Sequence, residues 1–154
     1  MIIIIDHFKK MCYTIKVKKY IRGENMKLTQ EIKDLIGEQL AYMATVDENG
    51  NPNIGPKRTM RVLDDEHLIY CENTDGKHHA NIKNNGKVAI AFVKREDNKG
   101  FRIVGTANSY TDEEHMNLAK EKAGVMPKAA AIIIDIEKIY TLDSGPIAGK
   151  LLEA

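Results

Sequence analysis

Hydrophobic and polar positions change rhythm several times along this chain, and each change predicts an element. Ile32, Leu35, Ile36 and Leu40 recur at helical spacing, so a helix is predicted over Gln30–Gln39, with Thr29 as N-cap and Glu31 near its positive end. Leu40–Val46 reads as a strand, Asp47-Glu48-Asn49-Gly50 as a hairpin turn and Asn51–Leu63 as the return strand. Pro52 and Pro56 lack ladder donors, which places them at an edge, a strand start or a bulge. Asp64-Asp65-Glu66 separates the strand-like run Thr59–Leu63 from His67–Glu72. The polar loop Asn73-Thr74-Asp75-Gly76 then opens into a short helix, Lys77–Asn84, and Asn85-Gly86 turns the chain into the strand Lys87–Val93. Asp97-Asn98-Lys99-Gly100 leads into a strand over Phe101–Tyr110. Thr111 and Glu114 form a capping box for a helix over Asp112–Ala123, which ends near Gly124. Ala129–Tyr140 is a last long strand. It is apolar through Ile134, the mark of a strand covered on both faces. Many short strands joined by tight turns, with few helices, predict a mainly β (α+β) antiparallel fold, a closed or partly open barrel.

Residues 1–25 fall outside this pattern. Lys and Ile dominate them without a 3.6 or 2 period, and Met1-Ile2-Ile3-Ile4-Ile5 is too short for a signal peptide. Arg22-Gly23-Glu24-Asn25 can be encoded by a purine-rich run resembling a bacterial ribosome-binding site. The expectation is that Met26 is the true start and 1–25 a translated leader, the alternative being a genuine basic extension, with 26–154 as the domain. Charge divides at the same place. Six of the 23 bases and two of the 22 acids lie in 1–25, which leaves the remainder with 17 bases and 20 acids. A slightly acidic body argues against a nucleic-acid binder. No apolar run is long enough to span a bilayer. Cys12 and Cys71 make neither a disulfide framework nor a CxxC motif, as expected in a reducing cytoplasm.

The candidate chemistry lies between Pro56 and Asn81. A loop that ends in a helix start offers unpaired N–H groups to an anion, and Lys57, Arg58, Arg61 and Lys77 bring positive charge to it. His78 and His79 are adjacent, point to different faces of a helix and make a poor metal pair, so no metal is expected. No Ser/His/Asp set or carboxylate pair stands out as catalytic machinery.

Three blocks, LAYMATVDENGNPNIGPKRTMRVLDD, LIYCENTDGKHHANIKNNGKVAIAF and GFRIVGTANSY, give this sequence a resemblance to a known family over roughly residues 28–150. It resembles the pyridoxamine 5′-phosphate oxidase-like, FMN-binding split β-barrel proteins, especially their short single-domain members. The resemblance implies a homodimer with FMN at two interface sites. It places Pro56, Lys57, Arg58 and Thr59 along the flavin ring and Arg61 near the phosphate. Glu72, Asn73, Thr74, Lys77 and His78 complete the phosphate cradle, with Asn81 on the helix beside it. The second subunit contributes from the strand beginning near Gly100. Larger members carry a hydroxyl residue and two bases where this chain has Gly76, Lys77 and His78. The implied function is FMN-dependent oxidation or reduction of a small molecule. The alternatives are an electron-carrying FMN protein and, further off, a haem-binding barrel. Pyridoxamine 5′-phosphate oxidation itself is not expected, because the chain has no Trp and its end, YTLDSGPIAGKLLEA, has no Arg. That Gly-containing tail is expected to fold over the open flavin face.

Overall fold

The computed structural model describes residues 26–152, so the expectations for residues 1–25 lie outside it. Helix α1 (Gln30–Glu38) starts where Thr29 Oγ1 accepts the Ile32 N–H at 3.4 Å, and it buries Ile32, Leu35 and Ile36. Strands β1 (Ala41–Val46) and β2 (Pro52–Lys57) form the predicted hairpin. Its turn is held by Asp47 Oδ1, which accepts the Asn49 and Asn51 N–H groups at 2.9 and 2.8 Å. There follow β3 (Arg61–Val62), β4 (His67–Glu72), α2 (Lys77–Asn85), β5 (Lys87–Lys94), β6 (Lys99–Tyr110), α3 (Glu113–Ala123) and β7 (Ala130–Thr141).

All seven strands pair antiparallel in one sheet of order β2-β1-β5-β6-β7-β4-β3. The sheet curls around one core, in which Met43, Leu68, Tyr70, Ile90, Phe92, Ile103, Ile132, Ile134 and Ile136 are at most 1% exposed. Burying each such side chain contributes roughly 1.5–3 kcal/mol, which makes this core the main stabilising term. Strand β7 is covered on both faces as its sequence predicts. Ile132 and Ile134 face the barrel core, while Ala131 and Ile133 pack with α3 in a second cluster that includes Ile69, Cys71 and Ala119. The β6–β7 ladder shifts register at Val104/Gly105. A Cβ on Gly105 would stand 2.1 Å from the Asp135 carbonyl oxygen, so only glycine fits this bend. Among the described residues no helix is long and apolar enough to cross a membrane.

Two sequence expectations are corrected. The return strand Asn51–Leu63 is broken. Met60 N–H closes a turn onto the Lys57 carbonyl at 3.2 Å and buries its side chain, which leaves only Arg61–Val62 as β3. The cap of α3 is Asp112 and not Thr111, because the Asp112 carboxylate reaches the His115 N–H at 3.1 Å. The N-cap position of α2 is Gly76, while Asp75 lies one residue earlier at φ 46°. The tail folds back on the end of β7, where Leu152 N–H bonds the Ile139 carbonyl at 2.8 Å and Gly149 N–H the Thr141 carbonyl at 2.7 Å. This is the β6 start, at the opposite end of β6 from Ser109 and α2.

The sheet has two edges, β2 and β3, and they follow each other in sequence. Thr59 joins them to β4. Its hydroxyl accepts the Cys71 N–H at 3.1 Å and donates to the Cys71 carbonyl at 3.3 Å, replacing a ladder pair where the backbone turns away. Thr59→Val keeps the shape and removes both bonds, so it is expected to cost about 1–3 kcal/mol in denaturant unfolding, with Thr59→Ser close to wild type. Equal stability of the Val and Ser variants would contradict this role.

Candidate functional site

Residues from four elements meet where β2 ends beside β4 and below α2. At the centre is Glu72, the last residue of β4, with its side chain 1% exposed. Its Oε1 accepts from Thr74 N–H and Thr74 Oγ1, both at 2.9 Å. Its Oε2 accepts from Lys57 Nζ and the Tyr70 hydroxyl, both at 3.3 Å. Lys57 also lies over the Tyr70 ring, 4.9 Å from its centroid. Burial alone would raise the Glu72 pKa. The Thr74 N–H, the Lys57 charge and the Thr74 hydroxyl outweigh that and hold it at about 2. The same burial and the neighbouring carboxylate push the Tyr70 phenol far above its usual range.

Helix α2 supplies the opposite wall. Asn81 donates to Thr45 Oγ1 at 2.9 Å, so the Thr45 hydroxyl hydrogen is available to His78 Nδ1 at 3.0 Å. Where Nδ1 accepts that hydrogen, the ring proton of His78 sits on Nε2. That atom lies over Gly55, where a Cβ would come within 3.1 Å of it. Burial, reinforced by Lys57 and opposed by Glu72, lowers the His78 pKa. The shift favours the neutral form of His78 at pH 7.

A second chain of contacts ties the loop to β6. His79, 4% exposed, bonds Asp75 Oδ1 through Nδ1 and Ser109 Oγ at 2.8 Å through Nε2, and Lys83 Nζ stands 3.5 Å from Asp75. Asp75 holds the left-handed conformation that non-glycine residues seldom adopt. These contacts fix the path from Asn73 into α2, whose N-cap Gly76 offers no side-chain partner to the first turn.

The structure therefore brings together Lys57, Glu72, Thr74, His78 and Asn81 of the expected cradle. It separates others from them. Arg61 stands opposite Ile69 on the α3 side of the sheet, with its charge felt at Cys71, and its Nη1 folds back to the Arg58 and Met60 carbonyls at 3.0 and 2.7 Å. Thr59 serves the seam. Asn73 Oδ1 accepts the Lys128 N–H at 3.0 Å, holding the approach to β7. Lys77 leans toward Asp47 at 3.9 Å with its side chain 56% exposed, and Pro56 and Arg58 are exposed on the edge. Sequence reasoning passed over Thr45, Gly55, Tyr70 and the Asp75–His79–Ser109 chain. Only the i,i+4 spacing of Asp75 and His79 was visible beforehand.

A curled antiparallel sheet with adjacent open edges and a polar site at the seam defines a split β-barrel. Over residues 28–143 the sequence matches the pyridoxamine 5′-phosphate oxidase family, and the chain belongs to that family. It is 53% identical to HupZ of group A Streptococcus, whose crystal structure superposes with a TM-score of 0.72 over 79% of this chain and 99% of that one. It is 34% identical over 142 residues to an uncharacterised protein of Methanocaldococcus jannaschii, covering 88% of this chain and 94% of that protein. An FMN-binding protein of Syntrophomonas wolfei, 18% identical with a TM-score of 0.63 over 92% and 99% of the two chains, shares the fold.

The two titrating groups give stability a pH dependence that can be separated. His78 resists protonation when folded, so acid favours the unfolded state once the pH falls below its ordinary value of 6.5. Glu72 is depressed from 4.5 to about 2, so its contribution is complete above pH 4.5 and is lost as the pH falls through about 2. Unfolding free energies of wild type minus those of Glu72→Gln are expected to shrink over that window by about 3 kcal/mol. The wild-type minus His78→Gln difference is expected to change at higher pH, below 6.5. A flat difference between pH 4.5 and 2 for Glu72→Gln would contradict the geometry of the pair.

Proposed function

We propose that this protein binds a flavin, FMN by family, between two copies of the chain and uses it to oxidise or reduce a small molecule. The observation that carries the shared site is an uncovered sheet face. In the rows Pro56–Tyr42–Ala91–Arg102–Tyr140 and Ile54–Ala44–Ala89–Val104–Lys138, partners lie in register across β2, β1, β5, β6 and β7. These positions alternate with the core-facing ones, so they point away from the barrel. Among the described residues, Tyr42 is 49% exposed and Ile54 70% exposed. Paired alanines at the centre allow another sheet to approach closely. Arg102 lies 4.3 Å from the centroid of the Tyr140 ring, and its Nε is buried without a hydrogen-bond partner among the described residues. A buried donor of that kind calls for an acceptor beyond the described residues. A second copy supplies one and covers the apolar rows at once.

The face adjoins the edge strand that leads into the Lys57–Glu72–His78 cluster, so a flavin seated there would lie along Pro56 and Lys57 with its side chain directed toward Thr74 and α2. Arg58 and Lys77, exposed at the mouth and the latter 3.9 Å from Asp47, are the cations that would meet a phosphate. When bound, the flavin supplies hydride and single-electron chemistry. The protein's part is to hold the ring, keep water from one side of it and present neutral His78 Nε2–H as a hydrogen-bond donor.

The full chain, purified, is expected to show flavin absorption bands and to run as a dimer. Ala91→Glu, which places a charge in the middle of the uncovered face, is expected to give monomers and to lose the bands. A colourless protein that takes up no added flavin would refute the flavin reading, and a Soret band would favour haem. Flavin retained by a monomeric Ala91→Glu protein would refute the shared site. Reduced flavin that no quinone, nitroaromatic, enoate or azo compound reoxidises faster than it does free reduced FMN would favour the electron carrier.

A further inference from the structure

The loop before α2 gathers donors that would suit a phosphate: a backbone N–H and hydroxyl from Thr74, an ammonium from Lys57 and a phenol from Tyr70. In this chain all four converge on one buried carboxylate. Glu72 takes two of them on each oxygen, at 2.9 and 2.9 Å and at 3.3 and 3.3 Å. A purely structural Lys57–Glu72 tie would need only its two members. Here the carboxylate also satisfies the Thr74 amide of the loop that leads to the helix start.

We infer that Glu72 is a resident anion that holds the phosphate position of the cradle and sets how strongly the protein distinguishes a phosphorylated flavin from an unphosphorylated one. This rests on the flavin reading above. A phosphate brought to the same donors meets a like charge in a site with little water to screen it. One route leaves Glu72 in place and gives the phosphate only the exposed cations Arg58 and Lys77. The other route displaces or protonates Glu72, and its depressed pKa opposes protonation at neutral pH. By either route, much of what the phosphate would contribute to binding is cancelled. Glu72→Gln keeps the length of the side chain and an acceptor for Thr74. It frees the Lys57 charge and removes the repulsion.

The test compares FMN with riboflavin by quenching of flavin fluorescence in titrations of the full chain, wild type and Glu72→Gln, at pH 7.5 and fixed salt. Wild type is expected to prefer FMN by no more than about tenfold, and the variant's FMN-to-riboflavin ratio to exceed the wild-type ratio by about tenfold or more. A ratio that is unchanged or lower in the variant overturns the inference. So does a wild-type preference for FMN above about a hundredfold, and that measurement decides the matter if the variant does not fold. Failure of the flavin reading looks different, since neither ligand then binds either protein, and the inference falls with it. Riboflavin binding with no rise in the ratio removes the role of Glu72 and leaves the flavin reading standing.

Discussion

The closure of one sheet on itself is the constraint on which the rest of this structure depends. Strands β2 and β3 form opposite edges of a seven-stranded sheet, yet only residues 58–60 separate them in sequence. An unpaired edge exposes a row of donors and acceptors, and barrels remove that cost by closing. Here closure is partial. The Thr59 hydroxyl replaces one pair of ladder bonds to Cys71, and the Lys57–Glu72 pair spans the next gap. Both bridges come from side chains, so the seam leaves room for polar groups that a continuous ladder would have excluded. The polar site of this protein is the place where its barrel fails to close by backbone alone.

That origin explains the electrostatics. Lys57 and Glu72 are almost wholly out of water, which is tolerable only because each oxygen of the carboxylate is satisfied. The same low exposure drives His78 toward its neutral form, and Thr45, itself bonded by Asn81, holds its ring. Buried charge is thus concentrated in one matched pair, and the exposed cations, Arg58 and Lys77, remain at the rim.

Much of the fold was legible in the sequence because its signals are local. The Asp47–Gly50 hairpin, the Thr29 cap and the apolar run of β7 each carry their own physical reason, and each is found where it was expected. The break at Arg58–Met60 was hidden, since Thr59–Val62 alternates as a strand should and only the burial of Met60 bends it. The site was half legible. The order of its residues located it near Glu72–His78, but sequence does not say on which face of a sheet a side chain emerges. Arg61, counted with the cradle, lies on the α3 side, and Thr45, on a distant strand, proves to be the group that orients His78. Gly55 matters through a side chain it lacks, which no pattern in the sequence announces.

The central claim is that the ligand site is shared by two copies of the chain across the β1–β5–β6 face. If a flavin bridges both, linkage requires it to strengthen their association as much as their association strengthens its binding. Sedimentation equilibrium at dilute protein, with and without saturating FMN, measures this directly. The account predicts a dimer dissociation constant at least about tenfold lower with FMN, a change of about 1.4 kcal/mol. A dimer constant indifferent to FMN, in a protein that demonstrably binds it, would place the cofactor within a single chain and contradict the account.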